Sequence, residues 1–409
     1  MSEYSIREKC KVNTNWDEDT FVGIMCKDGD LSVHFPLGFN ISEDEKELRK
    51  EILLLIHTIA GTTGRKDSEL YDNAKQYNET GFPIQAYVAL IYDYCNRGYY
   101  QEREIVYSEA SRGKINWNRT IKTQKPYLQD GSAYYLKFVT KKTPMNDNQL
   151  ITLIHEYCVY ESFNKIGWLF TRLQVQKPRI KFNKKLFKSV VRDKLQNTFN
   201  DKNKKLFINM LAVIDDLSDD KASINYKYGT YRFEYVWEQL IDRIYGISEK
   251  SFYFPKTTWK LKDEDYDNAC LEPDTIMLYG DNIYVLDSKY YKYGATEKPW
   301  DLPESTSINK QITYGEYIAK EEKFKRLHGE GYKVYNAFIM PYDSVKKNGG
   351  KIKHIGEAVS DWKSNEKEYE RVQGILIDIK YIMQLSVRQD ESEILELAEC
   401  IDNAIAHIN

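Results

Sequence analysis

Residues 272–291 read EPDTIMLYGDNIYVLDSKYY, two strand-like apolar runs on either side of Gly280, Asp281 and Asn282. Residues that tolerate positive φ at the break predict a tight antiparallel hairpin. Helical periodicity brackets it, with YRFEYVWEQLIDRIYG upstream and SINKQITYGEYIAKEEKFKRL downstream. The strand KVYNAFIMPYD and a closing helix from about Glu391 to His407 follow. A hairpin placed this way belongs to a sheet fed by helices on both sides, which sets a mixed α/β architecture for this part of the chain.

The hairpin carries Asp274, Asp287 and Lys289 among its apolar residues. Side chains two apart on a strand share a face, so Asp287 and Lys289 project together while Leu286 and Ser288 point away. Asp274 opens the partner strand after Pro273, and hairpin pairing brings it near the other two. Two carboxylates so close repel unless a cation lies between them, and a divalent metal with oxygen ligands relieves that repulsion. A lysine beside them can orient or deprotonate a water. On the upstream helix, Phe233, Val236, Trp237, Leu240 and Ile244 form the apolar stripe, and Glu234 and Glu238 lie along its border. Glu234 is the first choice to look into a cleft with the sheet, and Glu238 the second.

The pattern divides the 409 residues into three parts. Residues 1–145 read as a small mixed α/β domain with one clear helix, SEDEKELRKEILLLIHTIAG, which Ser42 caps, Glu45 closes as a capping box and Gly61 ends. Residues 146–222 read as a helical, basic linking region, and 223–409 as the domain that holds the hairpin. Twelve Lys or Arg fall between Arg172 and Lys205 against only Asp193 and Asp201, in a chain whose net charge is -3. A solvated helix face accounts for most such stripes, and Lys184, Lys185, Lys188 and Arg192 become DNA contacts only if a nuclease site accompanies them. Six cysteines without a CxxC pair give neither a disulfide framework nor a zinc knuckle. MSEYSIREKCKVN has no signal-peptide pattern and no apolar run reaches membrane length, so cytoplasmic residence without a membrane partner is expected. GTTGRKDS at 61–68 lacks GxxxxGK[ST] and reads as a helix stop and loop. His57 reads as buried, His155 as structural, and Trp117 as a tryptophan packed on a strand.

A helix glutamate, then PD, then D-x-K across a hairpin resembles the PD-(D/E)xK nuclease superfamily, on Glu234, Pro273, Asp274, Asp287, Ser288 and Lys289. The thirteen-residue step from Asp274 to Asp287, the pair Tyr290 and Tyr291, and the following helix with Gln311 and Tyr314 look like McrC. Relatives in LlaJI-type restriction endonucleases look closer still, through HFPLGFNISEDEKELRKEILLLI, RGKINWNRTI and FEYVWEQL. The resemblance implies a restriction-endonuclease-like domain with a central mixed sheet flanked by helices. It implies Mg²⁺, with Mn²⁺ as a substitute, held by Asp274, Asp287 and Glu234, and cleavage of double-stranded DNA to 5′-phosphate ends. It also implies a McrB-like AAA+ GTPase partner and a homodimer or larger complex, since two strands must be cut. Gln311, Tyr314 and Lys292 then become candidate DNA contacts, with helix packing as the alternative for the first two. Two other readings stay open: an interaction subunit that mainly stimulates the GTPase partner, and a nuclease of DNA repair or defence outside restriction.

Overall fold

The computed structural model describes residues 5–16, 19–27, 30–62, 82–102, 106–110, 112–129, 131–142, 149–217, 226–385 and 391–406. The chain opens with β1 (Cys10–Val12), β2 (Val22–Lys27), β3 (Asp30–Phe35) and the helix α1 (Glu45–Thr62). Next come α2 (Ile84–Arg97), β4 (Val106–Ala110), β5 (Lys114–Ile115), α3 (Trp117–Thr123), β6 (Tyr127–Gln129), β7 (Ser132–Tyr134) and β8 (Phe138–Lys142). Three helices follow: α4 (Leu150–Ile166), α5 (Lys184–Asn197) and α6 (Asp201–Asp216). The remainder contains β9 (Tyr226–Thr230), α7 (Phe233–Tyr245), β10 (Thr258–Lys260), β11 (Asp265–Asp267), β12 (Thr275–Tyr279) and β13 (Asn282–Ser288). It continues through α8 (Tyr293–Thr296), α9 (Ser305–Lys320), α10 (Glu322–His328), β14 (Val334–Tyr342), β15 (Ile352–Ala358), β16 (Val372–Asp378), α11 (Ile379–Leu385) and α12 (Glu391–Ala406). No helix among the described residues is long and apolar enough to cross a membrane.

Packing groups Met1–Gly81 with Ser223–Asn409 as one unit and Phe82–Ala222 as another. This grouping differs from the division by sequence pattern, which keeps 1–145 together. The reason is a strand pairing that sequence pattern does not show: β9 completes the order β1-β3-β2-β9, so the first strands are joined to residues more than 190 positions later. Gly23 and Gly229 face each other across that pairing. A Cβ on Gly229 would stand 2.2 Å from the Val22 carbonyl oxygen, so the two backbones meet where no side chain fits.

In the first unit, the main sheet runs β12-β13-β14-β16-β15. The β12/β13 pair is antiparallel, β13/β14 and β14/β16 are parallel, and β15 runs antiparallel at the far edge. A mixed five-stranded sheet is the result. Val285 and Ile283 of β13 pack with Tyr314 and Ile318 of α9, and Phe338 and Met340 of β14 pack with Ile312. On α7, Phe233, Trp237, Leu240, Ile241 and Tyr245 are buried, each contributing roughly 1.5–3 kcal/mol by burial. In the second unit, Phe187, Val191, Leu206, Phe207 and Met210 are buried on α5 and α6, and β4-β8-β5 form a small sheet.

Several local expectations change. Asp44, not Ser42, caps α1: its Oδ1 accepts the Glu47 N–H at 2.9 Å, while the Ser42 hydroxyl accepts the Asp44 N–H one step earlier. Glu45 pairs with Arg49 at 2.6 Å along the helix. Gly61 lies inside α1, whose end is held because Arg243 donates to the Gly61 carbonyl at 2.9 Å. The rest of GTTGRKDS lies outside the described residues. His57 is exposed on this helix. The first 145 residues contain α2 and α3 besides α1. Trp117 begins α3, with Asn116 Oδ1 accepting the Arg119 N–H at 3.0 Å, and it is exposed. The helix expected over SINKQITYGEYIAKEEKFKRL breaks at Glu321, whose backbone is extended, to give α9 and α10.

Candidate active site

β12 and β13 bring Asp274, Asp287 and Lys289 to one place. Thr275 pairs with Leu286, so one step further along the antiparallel register Asp274 stands opposite Asp287. Lys289 Nζ lies 2.6 Å from Asp287 Oδ2, and Asp287 is 5% exposed. The Ser288 N–H donates to Asp274 Oδ2 at 2.8 Å. The backbone that carries these groups is fixed from several sides. The Lys289 N–H and the Trp237 indole both donate to the Ile339 carbonyl, at 2.9 and 3.2 Å. Lys250 donates to the Asp274 carbonyl at 2.5 Å and pairs with Asp242 of α7 at 3.0 Å.

The electrostatics reveal what else belongs to the group. Burial pushes the Asp274 carboxyl up to about 7; the Asp287 carboxylate adds to the rise, while the Ser288 N–H and Lys289 oppose it. Glu238 of α7 is pushed up to about 8, first by burial and then by the charge of Asp274. Asp287 and Glu234 add to that rise and Lys289 opposes it. Burial works against the Lys289 charge, but the Asp287 and Asp274 carboxylates outweigh it and hold the ammonium above the usual lysine range. Glu234 has a separate partner, Arg232 Nε at 2.7 Å, and its side chain is 38% exposed.

Among the described residues, no three His, Cys, Asp or Glu side chains converge at metal-ligand spacing. One oxygen of Asp287 is taken by Lys289 and one of Asp274 by the Ser288 N–H. The chemistry of the donors nonetheless fits a hard divalent cation, because the Asp274 and Asp287 carboxylates stand on neighbouring strands with one ammonium between the site's charges, and their negative charge raises Glu238 of α7.

The remaining expected residues separate into three places. Gln311 and Tyr314 are buried on α9: Gln311 Nε2 donates to the Val285 carbonyl at 2.6 Å and Tyr314 OH to the Glu272 carbonyl at 3.3 Å. They tie α9 to β13 and to the segment that leads into β12. Lys292 places its ammonium 3.5 Å from the centre of the Trp16 ring. Lys184, Lys185, Lys188 and Arg192 all lie on α5 in the second unit. Lys184 donates to the Asp215 and Leu217 carbonyls at 2.7 and 3.0 Å, and Lys188 pairs with Asp215 at 2.5 Å, whereas Lys185 and Arg192 are exposed.

One group near the site went unread in the sequence. Lys310 is exposed on α9; burial works against its charge, but the Tyr314 hydrogen bond, and after it the charges of Asp287 and Asp274, hold it above the usual lysine range. Its signal was the four-residue step to Tyr314, one helical turn, overshadowed by the Gln311–Tyr314 pair.

A family model described as LlaJI restriction endonuclease matches residues 21–355, which include the hairpin, α7 and α9. The chain belongs to the LlaJI restriction endonuclease family. No curated protein matches this LlaJI-family chain. Among solved structures, it is similar to a chain in the refined half-complex from a tetradecameric assembly of Thermococcus gammatolerans McrB AAA+ hexamers with bound McrC. The identity there is 15% and the TM-score 0.34, over 90% of this chain and 82% of the other. A second likeness, to a chain of the Thermococcus gammatolerans McrBC complex, has 16% identity and a TM-score of 0.23, over 55% of this chain and 65% of that one. Scores of this size decide nothing about function.

Proposed function

We propose that this LlaJI-family chain is the cleaving subunit of a restriction system, a Mg²⁺-dependent endonuclease acting on double-stranded DNA through a PD-(D/E)xK site. The observation that carries this reading is the pairing of Lys289 with Asp287 at 2.6 Å, next to Asp274 on the neighbouring strand, with Glu238 of α7 close enough to feel the charges of all three. A structural ion pair needs one carboxylate; Asp274 and Glu238 beside it, each raised by burial and a neighbouring carboxylate, cost stability and persist where chemistry requires them. Asp274, Asp287 and Glu238 would hold the metal, with Glu234 the alternative ligand, and Mn²⁺ can substitute. When bound, the cation supplies Lewis-acid activation of a water and offsets charge on the phosphate.

The chain's own residues do the rest. Lys289 is protonated at neutral pH while paired with Asp287, so it donates hydrogen bonds and orients the attacking water or a phosphate oxygen. Glu238 and Asp274, pushed up to about 8 and about 7 without the cation, would give up their protons on taking it. Lys310, exposed on α9 and within reach of the charges of Asp287 and Asp274, would contact phosphate.

The McrB-like AAA+ GTPase partner and an assembly that cuts both strands complete the reading. The second unit supports a protein contact: Leu128 of β6 is 75% exposed and Leu136, just past β7, 76%. The deciding experiment is plasmid cleavage by the purified chain, with and without a McrB-like AAA+ partner, nucleotide and Mg²⁺. Linear or nicked products that vanish in EDTA are expected. An intact plasmid under every combination of partner, nucleotide and metal would overturn the nuclease reading.

A further inference from the structure

A cavity of about 510 Å³ lies beside the candidate active site, inside the first unit. It opens off the carboxyl ends of two parallel pairs, β1 with β3 and β13 with β14. Open α/β sheets bind ligands in crevices at the carboxyl ends of their strands, and the volume falls within the range of about 300–1,000 Å³ usual for small ligands. Its walls are close-packed backbone. A Cβ on Gly294 would stand 2.1 Å from the Pro341 carbonyl oxygen, and Gly38, at φ +81°, would place one 3.1 Å from the backbone of Tyr342.

The lining has the chemistry of a nucleotide site. Trp16 is 49% exposed, a flat apolar face at the cavity with the Lys292 ammonium over it. Arg7, Lys292, Lys346 and Lys347 line it against the carboxylates Glu43 and Asp343. Arg7 is paired with Glu43 at 3.4 Å and Lys347 with Glu297 at 3.2 Å, which leaves Lys292 and Lys346 as the cations best able to meet a phosphate. An aromatic face stacks any base, and cations beside it track the backbone.

The cavity is tied to the catalytic strand. Tyr290 OH accepts the Leu37 N–H at 2.6 Å, and Asn15 Nδ2 donates to the Tyr290 carbonyl at 3.3 Å, so both walls are stitched to the residue after Lys289. Lys289 and Lys292 are three chain steps apart, at most about 11 Å between their Cα atoms, a distance covered by about three nucleotides of one strand. We propose that the cavity receives one unstacked nucleotide of the DNA strand near the scissile phosphate, its base on Trp16 and its phosphate against Lys292 and Lys346. This rests on the nuclease reading for its source of strand, and on the cavity for its chemistry. Neither Trp16 nor its cavity partner Arg7 lies within the residues matched by the family model.

The test is titration of fluorescently labelled dT6 into the full chain in EDTA, so that binding is read without cleavage, with unlabelled dTMP as competitor. Trp16→Ala is expected to weaken dT6 binding by about 5- to 100-fold, and Trp16→Phe to restore most of it. Lys292→Ala and Lys346→Ala each lower the slope of log K against log salt by about 0.7. Two results overturn the proposal: dT6 bound equally by wild type, Trp16→Ala and Lys292→Ala, or dTMP competing as tightly as dT6, which would make the ligand a free nucleotide. The two readings fail separately. A wild type that cuts plasmid while Trp16→Ala still binds dT6 normally removes the cavity alone. A wild type that never cuts, yet loses dT6 with Trp16→Ala, removes the nuclease and leaves the cavity standing.

Discussion

The end of the β12–β13 hairpin and the face of α5 are both clusters of charge on regular elements, and they differ in what surrounds each charge. At the hairpin, Asp287 is buried and paired with Lys289, and the charges of Asp287 and Asp274 act on Glu238 and Lys289. On α5, Lys184 and Lys188 are spent on the end of α6, through the Asp215 and Leu217 carbonyls and the Asp215 carboxylate, while Lys185 and Arg192 extend into solvent. The richer run of charge is therefore the more ordinary one. Twelve basic residues, eight of them on α5 and α6, say less about chemistry than a buried aspartate–lysine pair with a second aspartate beside it.

The largest effect separating the two regions is expected at the hairpin. Asp287→Asn keeps the shape and removes the charge, and Lys289→Ala removes its partner; each should lower plasmid cleavage by more than about 10²–10³-fold with unchanged circular dichroism. Lys185→Ala should leave the cleavage rate at saturating DNA unaltered. Equal losses from both regions would erase the contrast.

A sharper cut runs through α7 itself. Glu238→Gln should cost about 10²-fold in cleavage, while Glu234→Gln, which breaks only the Arg232 pair at the surface, should stay within a few-fold. The reverse order of the two would restore Glu234 as the ligand.

The pH dependence of stability gives a readout independent of DNA. Asp274 and Glu238 have folded-state pKa values raised to about 7 and about 8, above their unfolded values near 4. The folded protein thus binds more protons than the unfolded chain in that interval. Their contribution is fully favourable below about pH 4 and is lost as pH rises through 7 to 8. In EDTA the Tm of wild type should fall across this window, and Asp274→Asn should melt a few degrees higher than wild type at pH 8.5 with no such gap at pH 4. Mg²⁺ added at pH 8.5 should raise the wild-type Tm and leave that of Asp274→Asn nearly unmoved. A wild type whose Tm is flat from pH 4 to 8.5 would show that these carboxyls are not buried together.

Much of the site was legible because strand geometry is regular. The two-residue period placed Asp287 beside Lys289, and the turn residues Gly280, Asp281 and Asn282 predicted the hairpin, of which Gly280 takes the positive φ, +58°. The choice between Glu234 and Glu238 was not legible, since both border the same helical stripe and only the packing of α7 on β12 and β13 decides which is enclosed. Lys310 was hidden for the same reason: its meaning depends on which turn of α9 faces the hairpin. The cavity at Trp16 could not be read at all, because it joins residues from the first 43 positions to others near 292 and 346. Capping failed at short range, where Asp44 and Ser42 both offer an acceptor and the start of α1 is set by its packing rather than by propensity.

The smallest expected effect tests whether the exposed half of α5 touches DNA. A phosphate contact releases about 0.9 counterion per charge on duplex DNA, so its loss changes the salt slope of binding without changing sequence preference. Lys185→Ala and Arg192→Ala, both on the solvent side, should each lower that slope by about one and weaken binding equally for unrelated duplexes, with Tm unchanged. Lys184→Ala should do the opposite. Its ammonium satisfies carbonyls at the end of α6, so its loss should cost about 1 kcal/mol of stability with little change in the salt slope. If Lys185→Ala and Arg192→Ala leave the slope where it was, α5 is a solvated helix face, and the positive charge that meets DNA belongs to Lys289, Lys310 and the cavity lysines alone.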